Sequence, residues 1–521
     1  MPLRSLEQRL AAVPTSVLAG MRRGVEKESL RARGDGHLAL TPHVAALGSA
    51  LTHPCITTDY SESQLELITA AHPSVDACLE ELREIHQFVS RSLDGEMLWV
   101  SSMPCCLPAD ENIPIGRYGT SNIGRAKSVY RMGLANRYGR RMQTISGIHY
   151  NWSLPGLGDD DYFGLIRNFR RHAWLLLLLF GASPAVCASF VEGRKHPLAP
   201  LEGDTTAGTL GLPHATSLRM GKLGYQSEAQ ATLAVSYNCL DSYAASLHDA
   251  LTRPYPPYEA IGIVNPGGEY NQLATTLLQI ENEFYSTIRP KRTIRPGERP
   301  LHALRERGVE YIEVRCMDLD PFEPLGIGAS TMHFLDVFLL HALLTPSDDD
   351  TPDEVAAIGS NQERTAARGR EPGLALMRVD GEVTARAWGD ALLDEIDVVA
   401  REVDRRMETT LHVAAVAVAR ESLHAPERLP SARVLAAMAA DHASSHIAFV
   451  RARSAAIKRQ LLDLPWTGAQ DARYRELTQA SVRAQREAEA LDGSVPFEDF
   501  RRVYVDPGRL YPERKRRSAA G

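Results

Sequence analysis

A chain of 521 residues with 44% hydrophobic and 24% charged side chains has ordinary globular composition and length enough for a large buried core. Its formal charge of -7 argues against a general nucleic-acid binder, which needs a basic footprint. Seven scattered cysteines, odd in number and without zinc-type spacing, read as a reducing compartment.

The first residues, MPLRSLEQRLAAVPTS, lack the apolar run of a signal peptide. The next element, GVEKESLRA, reads as a strand. Its period of two turns Glu26 and Glu28 to one side, roughly 7 Å apart, where they repel by about 2 kcal/mol at an effective dielectric near 20. A solvated strand face is the plain alternative.

CITTDYSESQLELIT follows. As a strand it aligns Glu62, Gln64 and Glu66 on one face and Leu65 and Leu67 on the other. Asp59 falls on the leucine face unless a bulge or turn near Tyr60 brings it round. YGTSNIGRAKSVYRMGLANRYG reads as a polar turn feeding a helix that carries Arg125, Lys127 and Arg131. Its start could hold an anion, and a solvated basic face is the alternative.

QTISGIHYNWSLP sets His149 and Asn151 against Ile148, Tyr150 and Trp152. The apolar run from Ala173 to Phe190 is broken by Gly181, Ser183 and Pro184, so it reads as a core helix ending near Gly181 rather than a membrane span. LLQIENEFYST is β-like, and IRPKR after it supplies Arg289, Lys291 and Arg292. GVEYIEVRCMDLDPF alternates Tyr311, Glu313 and Arg315 with Ile312, Val314 and Cys316.

Three regions follow from texture. Residues 1–345 mix strands, turns and helices and carry the sites; residues 346–510 are mainly helical and pack on them; residues 511–521 form a basic tail read as disordered. SDDDTPDEVAAIGSNQERTAARGREPG reads as a surface excursion between the first two. The fold class is α+β.

If the charged strand faces converge, their carboxylates cannot all stay ionised without cations, and hard divalent ions such as magnesium take oxygen ligands of this kind. Arg315 beside Glu313 is placed to meet a metal-bound phosphate. No Walker A or GxGxxG pattern is present, so any nucleotide is held by metals and a sheet.

These segments resemble the proteobacterial type of glutamate–cysteine ligase. RGVEKESLR, LGSALTHPCITTDYSESQLELIT, SMPC, YGTSNIGRAKSVYRMGLANRYGRRMQTISGIHYNWSLP, LFGASPAVCASF, ATSLRMGKLGY, LQIENEFYSTIRPKR and VEYIEVRCMDLDPF occur in the family's order between Arg23 and Phe322. The resemblance implies a glutamine-synthetase-like catalytic fold, a mostly antiparallel curved sheet forming a funnel. It implies the reaction of ATP, L-glutamate and L-cysteine to γ-glutamylcysteine, ADP and phosphate, the first step of glutathione biosynthesis.

It further implies Glu26, Glu28, Asp59, Glu66, His149 and Glu313 as ligands of magnesium, with manganese as a substitute. Arg315 and Glu313 are the implied catalytic pair, and Arg289, Lys291, Arg292 and Arg315 meet ATP. Tyr60, Tyr130, Gln143, Tyr225 and Tyr285 form the implied cysteine pocket, and Arg219 takes a substrate carboxylate. Tyr60 departs from the Phe frequent in relatives, which bears on selection of the thiol side chain. A cytoplasmic location, feedback inhibition by glutathione, and no nucleic-acid, membrane or obligate protein partner complete the expectation. Rival readings are a ligase for another amine, a phosphotransferase of the guanidino-kinase kind on the same sheet, and a catalytically dead nucleotide-binding regulator.

Overall fold

The computed structural model describes residues 6–205, 208–224, 228–231, 233–295, 297–492 and 495–510. The expected basic tail, 511–521, lies outside the described residues. The centre of the molecule is a seven-stranded sheet built from β1 (Arg22–Arg33), β2 (Ile56–Thr58), β3 (Gln64–Ile68), β4 (Glu96–Leu98), β5 (Ile148–Ser153), β9 (Ile288–Lys291) and β10 (Tyr311–Met317). Between β5 and β9 in the chain, β6 (Ala185–Cys187), β7 (Ala199–Pro200) and β8 (Thr209–Gly211) form a small sheet of their own. The main sheet runs β2-β3-β1-β5-β10-β9, with β4 on the far end of β1, and every pairing is antiparallel.

The period-two pattern decides which face is buried. Val25, Leu65, Leu67, Ile148, Tyr150, Trp152, Ile288, Ile312 and Val314 all point to one side and join the main hydrophobic core. Lys27 shares that side. Its Nζ lies 2.7 Å from His86 Nε2, and burial pushes the amine down to about 7.

Three helices cover this face: Val75–Ser92, Asp159–Phe180 and Ala329–Leu344. The run Leu175–Leu179 is buried all round because its helix is sandwiched between the sheet and a further helical layer, as a uniformly apolar helix should be. That helix stops at Gly181, as expected, and no described helix is long and apolar enough to cross a membrane. The outer layer holds helices Ala385–Met407 and Leu411–His424.

Three expectations change. LLQIENEFYST is not a strand: it holds a 3-10 turn, Glu281–Glu283, and the strand is IRPK itself. Buried carboxylates explain this, because Glu281 is bound by Arg299 and Glu283 by Arg137, and neither could pair along a ladder face. The polar stretch after residue 348 is a helix, Pro352–Arg368, capped by Thr351, whose side chain accepts from Glu354 N. The region from 346 onward is mainly helical but also holds a hairpin, β11 (Ala375–Arg378) with β12 (Gly381–Thr384).

Candidate active site

The polar face of the sheet collects the predicted carboxylates because register puts them side by side. Glu28 stands directly opposite Glu66 across β1 and β3, and Glu26 opposite His149 across β1 and β5. Glu313 faces Asn151 across β5 and β10, and Arg289 faces Glu313 from β9. Glu62 does not join them. It sits in the turn before β3, and its carboxylate accepts the backbone N–H groups of His43 and Arg117. Asp59 lies at the end of β2, where the turn brings it within electrostatic reach of Glu28 and Glu66.

His149 is the hub. Its Nδ1 is 3.2 Å from Glu26 Oε2 and its Nε2 is 3.5 Å from Glu28 Oε1. Asn151 Nδ2 donates to Glu26 Oε1 at 2.9 Å, and Gly147 N donates to Glu28 Oε2 at 2.7 Å. Glu313 accepts from Lys291 Nζ at Oε1 and from Arg315 Nη1 at Oε2, both at 2.9 Å. Ligand atoms of Glu26, His149 and Glu313 all lie within 4.8 Å of one another.

The electrostatics separate two groups of carboxylates. Burial opposes ionisation of Glu313, but Lys291, then Arg315 and His149, hold it well below the usual range. Burial and Glu313 push Glu26 up, yet the hydrogen bond from His149 and the charge of Lys291 leave it below its ordinary value. Glu28 goes the other way: burial and Asp59 push it up to about 8 against Arg219 and Arg315. Burial, then Glu26 and Asp59, raise Glu66 well above the carboxylate range. The His149 imidazole is lowered by burial and Arg315, the direction that favours the neutral form a metal ligand needs. Like charges directly opposite on a ladder are destabilising, and here protons or cations have to relieve them. Oxygen donors with one imidazole around a common point fit a hard divalent cation such as magnesium.

Beside this cluster is a cavity of about 300 Å³, lined by Arg219, Arg315, Tyr285, Tyr237 and Arg170, and by Gly359 and Gln362 of the helix Pro352–Arg368. Arg219 Nη2 donates to the Arg315 carbonyl at 2.7 Å, and its guanidinium lies so close to Gly147 that a Cβ there would collide with it. Gln143 Nε2 donates to the Tyr285 hydroxyl at 2.8 Å. Tyr130 is close in charge terms to Glu283, Arg131 and Arg289, and Tyr60 is buried with its hydroxyl lacking a hydrogen-bond partner among the described residues. Tyr225 lies outside the described residues.

The basic residues divide. Lys291 and Arg315 reach the cluster. Arg289 is buried beneath it, bonded to the carbonyls of Asn282 and Phe284. Arg292 points away, donating to the carbonyls of Arg307 and Gly308 at the end of a neighbouring helix. On the helix Asn122–Tyr138, Arg125 stacks on Phe497, 4.3 Å from its ring centre, and is turned from the site. Lys127 and Arg131 lie over Tyr118 and act on Glu66, so these two are the basic residues that the helix offers.

Asn151, Arg170 and Tyr237 escape the sequence reading as site residues. Asn151 carries the signal, since it shares the face of His149. Arg170 and Tyr237 reach the cavity only through the packing of separate segments and have no local pattern to reveal them.

The model for the family described as glutamate-cysteine ligase matches residues 7–365. The chain belongs to the glutamate–cysteine ligase family. It is 49% identical over 443 residues to the glutamate–cysteine ligase of Saccharophagus degradans, covering 81% of this chain and 83% of that one. It is 47% identical over 517 residues to the glutamate–cysteine ligase of a Janthinobacterium strain, covering 93% and 94%. Among solved structures, the glutamate–cysteine ligase of Francisella tularensis in complex with AMP superimposes with a TM-score of 0.88 at 35% identity, covering 93% of this chain and 97% of that one. A bifunctional glutathione synthetase from Pasteurella multocida gives a TM-score of 0.69 at 25% identity, with 89% of this chain matched to 57% of the longer one.

Proposed function

We propose that this protein joins the γ-carboxylate of L-glutamate to the amine of L-cysteine with consumption of ATP, giving γ-glutamylcysteine for glutathione synthesis. The observation that carries the reading is the cluster of Glu26, His149 and Glu313 next to Arg315 at the mouth of an arginine-walled cavity. The family membership and the AMP bound by the Francisella tularensis relative support it.

A carboxylate is a poor electrophile, so the chemistry needs an activated acyl group. Transfer of the terminal phosphoryl group of ATP to glutamate gives an acyl phosphate, and the cysteine amine then displaces phosphate. Magnesium held by Glu26, Glu28, Asp59, Glu66, His149 and Glu313 would neutralise the polyphosphate and the charge developing on it. Arg315, oriented by its bond to Glu313, stabilises the transferring phosphoryl group with its planar fork. Lys291 keeps Glu313 ionised and in place.

Arg219 binds a substrate carboxylate from the cavity wall. Tyr60, Tyr130, Tyr285, Gln143 and Tyr225 receive the cysteine side chain, with the Gln143–Tyr285 bond fixing two of them. A cytoplasmic location, manganese as a substitute metal and feedback by glutathione belong to the same reading.

The test measures ADP release with glutamate alone and then with cysteine, 2-aminobutyrate and other amines. Release that requires glutamate and an amine, with the highest kcat/KM for cysteine, supports the assignment. Phosphorylation of a guanidino acceptor without peptide formation would favour the phosphotransferase.

A further inference from the structure

On the opposite side of the sheet from the catalytic cluster, two histidines and an aspartate meet in the interior. His333 and Asp336 lie three residues apart on one face of the helix Ala329–Leu344. His412 stands in the first turn of the helix Leu411–His424, with its ring 5.0 Å from that of His333 and nearly perpendicular to it. Ligand atoms of the three side chains all lie within 4.8 Å of one another, and all three residues are buried.

Their surroundings are those of a ligand set. Asp404 Oδ1 is 2.7 Å from His412 Nδ1, and its Oδ2 accepts from Val413 N at 2.9 Å. That carboxylate occupies Nδ1 and fixes the ring, so Nε2 is the nitrogen left for a metal, the arrangement by which an outer carboxylate orients a metal-binding imidazole. His333 Nδ1 is buried with no hydrogen-bond partner among the described residues. Asp336 Oδ1 accepts from the Tyr150 hydroxyl at 2.8 Å. Arg23 pairs with both oxygens, its Nε donating to Oδ1 at 3.3 Å and its Nη2 lying 3.0 Å from Oδ2. One buried polar atom, His333 Nδ1, is thus left unsatisfied beside Asp336 and His412, which costs free energy unless something fills the gap. Asp336 and Asp404 supply two buried carboxylates against the single guanidinium of Arg23, so a cation is electrostatically welcome.

We propose that His333, Asp336 and His412 form a second metal site, separate from the catalytic one, that takes a borderline transition-metal ion such as Zn2+. Two imidazoles and one carboxylate suit zinc, whereas the oxygen-rich catalytic cluster suits magnesium. Bonds of about 2.0–2.1 Å require the three ligand atoms, now within 4.8 Å of one another, to draw in around the ion on binding. The site joins β1 and β5, through Arg23 and Tyr150, to the outer helices. Its role is to clamp the helical layer to the back of the catalytic sheet.

The experiment titrates Zn2+ into the full-length protein by calorimetry with excess Mg2+ present, and repeats it with Co2+ followed by its visible absorption. One tight equivalent of Zn2+ per chain is expected, together with a rise in Tm and a Co2+ spectrum of low coordination number. His333→Gln and His412→Gln should each abolish that equivalent. Asp404→Asn should weaken it about 10–100-fold. Glu313→Gln, which disables the catalytic cluster, should leave it intact. Melting curves of the metal-free variants check that they fold, and His333→Gln serves if His412→Gln does not. Failure of the wild type to bind Zn2+ under these conditions, or an equivalent that survives both histidine substitutions or disappears in Glu313→Gln, overturns the proposal.

Discussion

Arg315 and Glu313 are two residues apart on one strand, so their side chains share a face and meet at 2.9 Å. Lysine at 315 keeps the charge and loses the fork. Arg315→Lys is therefore expected to lower kcat by a factor equivalent to about 2–4 kcal/mol, with a smaller change in the KM for ATP. Steady-state kinetics distinguish this from a ground-state anchor, for which KM alone would change. Glu313→Gln removes a charge of the proposed metal set and strands Lys291 and Arg315 beside a neutral amide. It should lose most activity yet remain folded, which circular dichroism checks alongside the assay.

The side chains that sequence located best are those a strict period of two makes unambiguous: Glu26, Glu28, His149, Glu313 and Arg315. Arg292 was the opposite case. It follows the last residue of β9, where no pleat constrains its direction, and nearby helix-end carbonyls capture it.

At the scale of elements, the back of the sheet rests on the helix Asp159–Phe180, whose Leu175 is fully buried. Leu175→Ala should cost about 2–5 kcal/mol, seen as a lower denaturation midpoint with little change in substrate affinity. A lower KM or unchanged stability would contradict that position in the packing. The helix Pro352–Arg368 was not legible from composition, because most of its surface is polar and its apolar contacts are few. Its start was legible: Thr351 followed by Pro352, Asp353 and Glu354 is a cap, a first-turn proline and two acids that suit the helix dipole. Because Gly359 and Gln362 line the cavity, the helix belongs to the site. Thr351→Ala should fray the first turn at a cost of about 1 kcal/mol. Faster hydrogen exchange over residues 352–356 and a raised substrate KM are expected, and unchanged exchange would count against the cap.

For the whole molecule, protons and cations compete for the same carboxylates. Burial, then Asp59, raise Glu28 from the ordinary carboxylate range to about 8. In metal-free protein, its contribution to stability is full below the unfolded value and is lost as pH rises through about 8. A magnesium ion bound there, as proposed, would take the place of the proton, so its binding would release protons and strengthen with pH. The Tm increase on adding Mg2+ should be larger at pH 8.5 than at pH 6.5, and Glu28→Gln should flatten that difference. Equal shifts at both pH values would mean that Glu28 does not exchange a proton for a cation. A sheet with a helical buttress was legible because alternation and helical spacing are local signals, whereas the antiparallel pairing followed only from the family resemblance. The buried trio of His333, Asp336 and His412 was not, because its members come together only when the outer helices dock.

The central claim is that this sheet activates the glutamate side chain as an acyl phosphate. It is tested most directly by supplying glutamate labelled with oxygen-18 in the γ-carboxylate, together with ATP, Mg2+ and cysteine, and analysing the released phosphate by mass spectrometry. The account predicts one labelled oxygen in each phosphate formed, because the carboxylate oxygen that accepts the phosphoryl group leaves with it. Phosphate carrying no label, released at the same rate as γ-glutamylcysteine, would contradict it.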